Sequence, residues 1–511
     1  MKKLIYILAS AVVTMFAACS EDALDKVNED INHAPDAEAK FVFADLGVST
    51  AFAVVGGDLN TYLGVAVEHW GGVHNQLFKA DQRNGEWISS SCFNNTWVSI
   101  YNTIKNCRVV IEKTADDATG VDAGNAPLNA AAKVLLAYNS AVLTDLFGDA
   151  PYSEACDYDN YKTPKLDSQA DIYTEIFSLL DDAIASLEAA TGNLGTGGFD
   201  FIYSGNSAKW LKFAYGLRAR LTLHTLLKAS DKAAAYDSIL SDIDNSFVSA
   251  DDQAQFTAYD GENNINPLAM FWYSREAIAA SGSLAAKLED RSDPRADMIY
   301  CTSWDAEYLS PDECEFVPNG TGIEAQEYYT DDCYLYAFDA PTFLLSYAEL
   351  QFIKAEVLSR KGNDAEAKDA ALEALKATFD IVNTNVMSAM YAWGFTYDGD
   401  LLDDTAAEDY FNVVVAPLAG DDLLAEIMVQ KYLHFHGANG GSVEAYNDIR
   451  RLMASGEDFI ELANPKNAAG KFPLRCGYGS SDTTTNPNIQ SAFGDGSYVF
   501  TEPVWWAGGK R

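Results

Sequence analysis

The chain has 511 residues, of which 75 are Asp or Glu and 35 are Lys or Arg, giving a formal net charge of −40. That balance excludes nucleic acid as a partner, and the spread of charge through the chain points to solubility and self-repulsion at a surface, or to a cationic ligand or calcium. Length alone suggests about three domains, but 48% hydrophobic residues set in recurrent helical stripes suit one continuous helical array.

Lys2 and Lys3 precede an apolar run from Leu4 to Phe16, followed by Ala17-Ala18-Cys19. This is a secretory signal, too short to span a membrane. Small residues leading into a cysteine resemble a bacterial lipobox. That makes residues 1–18 a leader and Cys19 the lipidated N-terminus, held in the membrane by more than one acyl chain. Residues 19–40 are expected to form an extended, charged tether. It opens with Ser20-Glu21-Asp22, which resembles the surface-export signals of Bacteroidetes lipoproteins. Residues 41–511 are expected to form one domain.

Helical periodicity is readable at about 41–56, 94–114, 126–147, 168–190, 206–229, 232–245, 421–436 and 443–454. Ser168 and Asp171 suit a capping box, and Ile172, Ile176, Leu179, Ala183 and Leu187 trace one face. Trp210 shares a stripe with Ala214, Leu217 and Leu221, and Trp97 lies four residues before Tyr101. Trp210, Trp97 and Tyr101 are therefore assigned to the core. Residues 341–383 predict two helices folded back on each other. Pro341 suits the start of the first, Gly362 its left-handed end, and Asp364 the cap of the second. Ala355, Gly362, Ala367 and Ala374 fall at tetratricopeptide spacings, with Ala371 where that repeat usually has an aromatic.

The fold expected is mainly α, with helical hairpins over about 94–245 and 341–454. Between them lie long irregular segments, about 56–93, 247–340, 394–416 and 456–511. Segments of that length inside a folded chain are usually functional. No stretch beyond residue 18 is expected to cross a membrane.

Apart from Cys19 there are seven cysteines, an odd number that leaves at least one thiol unpaired within the chain. Cys301 with Cys314 or Cys333 is the favoured disulfide cluster, the remaining thiols being small buried hydrophobes. No C-x-x-C pair, H-E-x-x-H, G-x-S-x-G, P-loop or complete EF-hand loop occurs. His69 with His74, and His434 with His436, are assigned to local hydrogen bonding rather than to a metal. Asp398, Asp400 and Asp403 are read as a solvated acidic loop rather than a calcium site. No cofactor is expected.

The segment Thr144 to Ala155, reading TDLFGDAPYSEA, resembles the "D.fGdvPYsEA" signature of the SusD/RagB family. Ser346 to Gly362, Gln430 to Arg451, Phe472-Pro473-Leu474-Arg475 through Asn486-Pro487-Asn488, and Pro503-Val504-Trp505-Trp506 match further family segments in order. The few arginines between Lys431 and Gly441 favour the SusD-like branch. The resemblance implies a surface-exposed outer-membrane lipoprotein with a tetratricopeptide-like helical half. It would capture a glycan, or less readily a peptide, and pass it to a SusC-like TonB-dependent transporter without breaking bonds. These are scaffold motifs and assign no ligand contacts. A glycan-cleaving hydrolase, needing two carboxylates in an aromatic cleft, and a purely structural scaffold are the alternatives.

Ligand contacts are expected from aromatics in the irregular segments, because a flat ring stacks on a sugar face while amides and carboxylates bond its hydroxyls. The candidates are Trp70, Trp87, Trp272, Tyr273, Trp304 and Tyr308, with Asn75, Gln76 and Asn84 as polar companions. Gly71-Gly72 is expected to form a turn presenting Trp70 and Asn75 outward.

Overall fold

Asn94–Lys113, Ala126–Phe147, Gln169–Ala189, Ser207–His224 and Lys232–Asp244 are helices that each pack on the next. They come from a computed structural model that describes residues 37–302, 307–394 and 399–511. The leader, Cys19, most of the tether, Trp304 and Asp398 lie outside those residues. The Ser168 hydroxyl accepts the Asp171 N–H at 3.2 Å, as the capping pattern requires. Trp210 is fully buried, its indole N–H donating to Asp200 at 2.8 Å, and Trp97 is buried against Tyr101.

The Lys232–Asp244 helix meets Tyr347–Arg360, which packs on Asp364–Trp393 and on Gly420–Gly437. Ser442–Ser455 follows. Ala355, Ala367 and Ala374 are fully buried, so their methyl-sized side chains let the helices of this hairpin approach closely. Gly362 takes φ +81° at the turn. The start of the hairpin differs from expectation. Thr342–Leu345 is a buried strand paired antiparallel with Ala254–Phe256, since a β-branched and aromatic run fits a pleated surface. Ser346 then caps the helix, accepting the Glu349 N–H at 3.0 Å. Asp364 is the first residue of the second helix rather than its cap, and its carboxylate accepts the Gly420 N–H at 2.9 Å. That helix also runs past Asn383 to Trp393.

One apolar core reaches from Ala39 to Ala507. Among the described residues two segments, Ala39–Ala66 and Ala126–Phe147, are long and apolar enough to cross a membrane by composition, contrary to expectation. Ala126–Phe147 spends that character inside this core, where nearly all its side chains are buried.

Charged groups are buried between the helices as pairs. Glu356 receives Arg451 at 2.7 and 2.8 Å and Arg360 at 2.8 Å. Arg220 grips Glu349 at 2.6 and 2.5 Å, and Lys431 meets Asp448 at 2.8 Å. His224 bridges Asp145 and Glu444, at 3.0 Å each. Asp145 also accepts the Tyr173 hydroxyl at 2.5 Å and the Trp506 indole N–H at 2.8 Å. The TDLFGDAPYSEA segment and the C-terminal tryptophans are thus joined as scaffold.

The segments expected to be irregular hold short elements: helices Asp58–Ala66, Asn75–Asp81, Pro267–Arg275, Gly282–Glu289 and Asp404–Val414, and small sheets. Most are too short for a helical period to be read. Pro267–Arg275 nonetheless carries a start signal, with Asn266 accepting the Leu268 N–H at 2.9 Å before a proline at the first turn. Asp403 caps Asp404–Val414 through the Ala406 N–H at 2.9 Å. The favoured disulfide does not form: among the described residues all seven thiols are free, with Cys301 and Cys333 buried and Cys314 half-buried. Burial pushes the Cys301 thiol up, the neighbouring Cys333 adding to the effect.

Candidate functional site

Trp70–Gly72 pairs antiparallel with Ile278–Ala280, and the Ala280 N–H donates to Thr330 O at 3.0 Å. Tyr300–Thr302 forms the centre of a three-stranded sheet between Glu307–Tyr308 and Asp331–Asp332. Between these ribbons and the end of the Asp364–Trp393 helix opens a cavity of about 400 Å³. Trp272, Tyr328, Tyr329 and Trp393 supply its rings; Glu276, Glu313, Glu315, Glu327 and Asp331 supply its carboxylates; Gln326, Thr302 and Thr330 add neutral polar groups.

The rings hold one another in place. Trp272 stands edge-on to Tyr336, centroids 4.4 Å apart, and to Trp393 at 6.1 Å. Tyr328 and Tyr329 cross at 5.0 Å. The Tyr329 hydroxyl accepts the Ile323 N–H at 3.0 Å, which leaves Tyr328 as the free ring of the pair, 56% exposed. The Trp393 indole N–H is buried with no partner among the described residues. Gln326 is tied to Arg275 O at 2.9 Å. Glu276 ends its helix in the left-handed region, at φ 45°, a conformation that a non-glycine residue adopts at some strain. At the half-buried base, Asp331 accepts the Tyr336 hydroxyl. Burial pushes the Asp331 carboxyl up to about 7 despite that bond.

Of the residues expected to bind ligand, the structure brings Trp272 to the cavity wall. Tyr273 stands beside it, 57% exposed and 6.3 Å from the Trp393 ring. Trp70 and Trp87 are corrections. Trp70 is 1% exposed and tilts against His436, and Trp87 is fully buried with its N–H on Ala80 O at 2.9 Å. Gly71 and Gly72 form strand, not a turn. A Cβ on Gly71 would meet Val317 at 2.3 Å and one on Gly72 would meet Leu77 O at 2.0 Å, so close passage of neighbouring chain is what requires glycine there. Asn75 and Gln76 are exposed, the Asn75 N–H donating to Glu324 at 2.9 Å on the loop that leads to Tyr328. Asn84 is exposed away from the cavity lining, and Tyr308 sits in the three-stranded sheet, part-buried against the core. Trp304 lies outside the described residues.

His69 and His434 take hydrogen-bonded places, while His436 faces the Asp332 carboxylate at 2.9 Å. His69 meets Ser442 Oγ at 3.0 Å and Tyr432 O at 3.1 Å; His434 meets Ser346 Oγ at 2.9 Å and Thr378 Oγ1 at 3.1 Å. Among the described residues no group of three His, Cys, Asp or Glu side chains is placed to hold a metal ion. A larger cavity of about 730 Å³ opens beside Gly282–Glu289, but among the described residues Phe459 is its sole aromatic ring, and its Arg291 is engaged by Glu426 at 2.8 and 2.9 Å.

Sequence reasoning missed Tyr328, Tyr329, Trp393 and the five carboxylates. The adjacent tyrosines in an acidic loop were the available signal. Trp393 was hidden by ending its helix at Asn383.

A family model described as starch-binding and associating with the outer membrane matches residues 73–478. A crystal structure of a SusD/RagB family protein from Bacteroides thetaiotaomicron is 42% identical, with a TM-score of 0.87 over 93% of this chain and 100% of that one. A chitin-binding protein shares the fold at 23% identity and a TM-score of 0.70, over 92% and 100% of the two chains. A chitin-binding SusD homologue from Flavobacterium johnsoniae does so at 20% and 0.66, over 92% and 99%. No similar sequence was found among curated proteins. With a family model over most of its length and a close structural counterpart over nearly all of it, the chain belongs to the SusD/RagB family.

Proposed function

We propose that the chain is a cell-surface glycan-capture protein whose ligand lies in the cavity walled by Trp272, Tyr328, Tyr329 and Trp393. The single observation that carries this reading is the cavity itself: aromatic rings beside carboxylates and one amide, Gln326, in a pocket of the size small ligands use. The family description supports the glycan and the outer membrane, and the two chitin-binding relatives favour a sugar polymer over a peptide. Anchoring through Cys19 and delivery to a TonB-dependent transporter complete the proposal. They rest on the lipobox-like stretch and on the family resemblance.

Tyr328 is the ring to test, because it is exposed and carries little of the fold. Calorimetry against a panel of oligosaccharides is expected to find a ligand that Tyr328→Ala binds roughly fivefold more weakly, the loss of one stacked ring worth about 1 kcal/mol. A demonstrated ligand bound equally well by Tyr328→Ala and Trp393→Ala overturns this site. Co-purification with a β-barrel transporter, and release from the outer membrane by Cys19→Ala, test the partner and the anchor.

The hydrolase reading draws on one observation, the raised carboxyl of Asp331, which suits a general acid. That group is engaged by Tyr336 at the cavity base, and we read it as part of the binding wall. Turnover of a bound oligosaccharide by the purified chain would reverse that reading.

A further inference from the structure

We infer that the glycan taken by this cavity bears free amino groups: a chain of amino sugars whose ammonium groups meet the carboxylates around it. The inference rests on glycan capture at this site and narrows its substrate class. Among the described residues four exposed glutamates, Glu276, Glu313, Glu315 and Glu327, line the cavity together with Asp331, whose carboxyl burial pushes up to about 7, and neither Lys nor Arg does. Between the helices several buried carboxylates are matched within the chain. Glu349, Glu356, Asp448 and Glu444 each face a guanidinium, ammonium or imidazole of the chain. Like charges gathered around one partly enclosed space repel, modestly where water reaches them. A cationic ligand turns it into attraction.

The spacing of the carboxylates decides what kind of cation fits. No three acidic, imidazole or thiol groups among the described residues converge closely enough for one metal ion, so several separated charges suit the cavity better than one dense charge. The rings decide between the carriers of such charges. Trp272 and Tyr328 offer faces or edges to a flat apolar surface, which a pyranose ring has and a lysine stem lacks.

The experiment is calorimetry on the full chain at mildly acidic pH, with three probes: a glucosamine oligosaccharide, its N-acetylated counterpart of equal length, and oligolysine of equal charge. The free-amine oligosaccharide is expected to bind about tenfold or more tightly than the acetylated one. That advantage should shrink toward parity in about 0.5 M salt, where the screening length falls to a few ångströms. Replacing Glu315→Gln together with Glu327→Gln, both exposed side chains, should bring the ratio of the two affinities toward one. Its melting temperature checks that the fold is retained. Equal affinities for the two oligosaccharides, or preference for the acetylated one, overturn the amine inference and leave glycan capture standing. Oligolysine bound as tightly as the amino sugar overturns it in favour of a basic peptide. Binding of neither oligosaccharide removes the capture reading as well.

Discussion

The carboxylates buried between the helices and those around the cavity are the same groups under opposite rules. Glu356 is fully buried and held by two arginines. Burial alone would raise its carboxyl, but Arg451 and Arg360 outweigh that and hold it well below the usual range. Glu315 and Glu327 are exposed at the cavity rim, and among the described residues no cation joins them in the lining. Where Glu356 leaves water the chain supplies its counter-charge, because an unpaired buried ion costs several kcal/mol. At the rim water does that task, and the counter-charge can be left to a ligand. The helical half is thereby fixed by its own charges, while the cavity half keeps charge available.

The largest effect that would break this contrast concerns Glu356. Glu356→Gln leaves Arg451 and Arg360 facing a neutral group and is expected to destabilise the chain by about 3–5 kcal/mol, read from the denaturation midpoint at neutral pH. A loss below about 1 kcal/mol, the scale of a surface pair, would make the network ornamental and erase the distinction.

His224 sharpens it through pH. Burial by itself would lower this imidazole, but Glu444 and Asp145 outweigh burial and raise it to about 9 from 6.5. A folded-state value above the unfolded one means that the contribution is complete below pH 6.5 and fades as pH climbs through about 9. Its full size is on the order of 3 kcal/mol. Glu444 has the opposite sign. Burial raises it, Arg220 and His224 lower it further, and it settles at about 2 from 4.5, so its contribution is present above pH 4.5 and lost as pH falls toward 2. The melting temperature of the wild type should therefore fall between neutral pH and pH 9, and His224→Gln should flatten that slope. An unchanged slope in the variant would remove His224 from the network.

Gly362 carries a smaller, purely conformational expectation. An added Cβ meets nothing within 4 Å, so Gly362→Val tests φ +81° without a clash. About 1–2 kcal/mol should be lost from the strain of a left-handed β-branched residue. A valine variant that melts with the wild type contradicts the turn.

The helical half was the legible half. Leu179 and Ala183, or Trp210 and Leu217, bury one face at helical spacing, so local pattern and tertiary packing agree. At Gly71-Gly72 local reasoning failed, since what demands glycine there is Val317 and the Leu77 carbonyl, residues no local pattern connects to that strand. The cavity failed for the same reason on a larger scale. It joins Val73, Trp272, Tyr328 and Trp393 from segments far apart in the chain, and its charge pattern exists only after they meet. Trp272 was reachable because no helical stripe demanded its burial; Trp393 was not, because it ends a helix longer than its readable period.

The smallest expected effect has the opposite sign to the first. Glu313 and Glu315 are both exposed and face the same cavity as Glu276, Glu327 and Asp331. In the unliganded chain each adds repulsion that no neighbouring cation of the lining relieves. Replacing Glu313→Gln and Glu315→Gln together removes two like charges and keeps the side-chain size. Stability is then expected to stay level or rise by up to about 0.5 kcal/mol, the usual range for exposed positions, with the gain larger at low salt because screening suppresses the repulsion being relieved. Glu313 also bonds Ser310 through its hydroxyl at 2.8 Å, a contact the amide oxygen of glutamine can still accept. The same change should weaken a cationic ligand. Stability and affinity would move in opposite directions, as expected of charge kept for binding rather than for folding. A drop of several degrees in melting temperature, with or without ligand, would mean that these carboxylates hold the loop together and that the two halves of the molecule obey one rule after all.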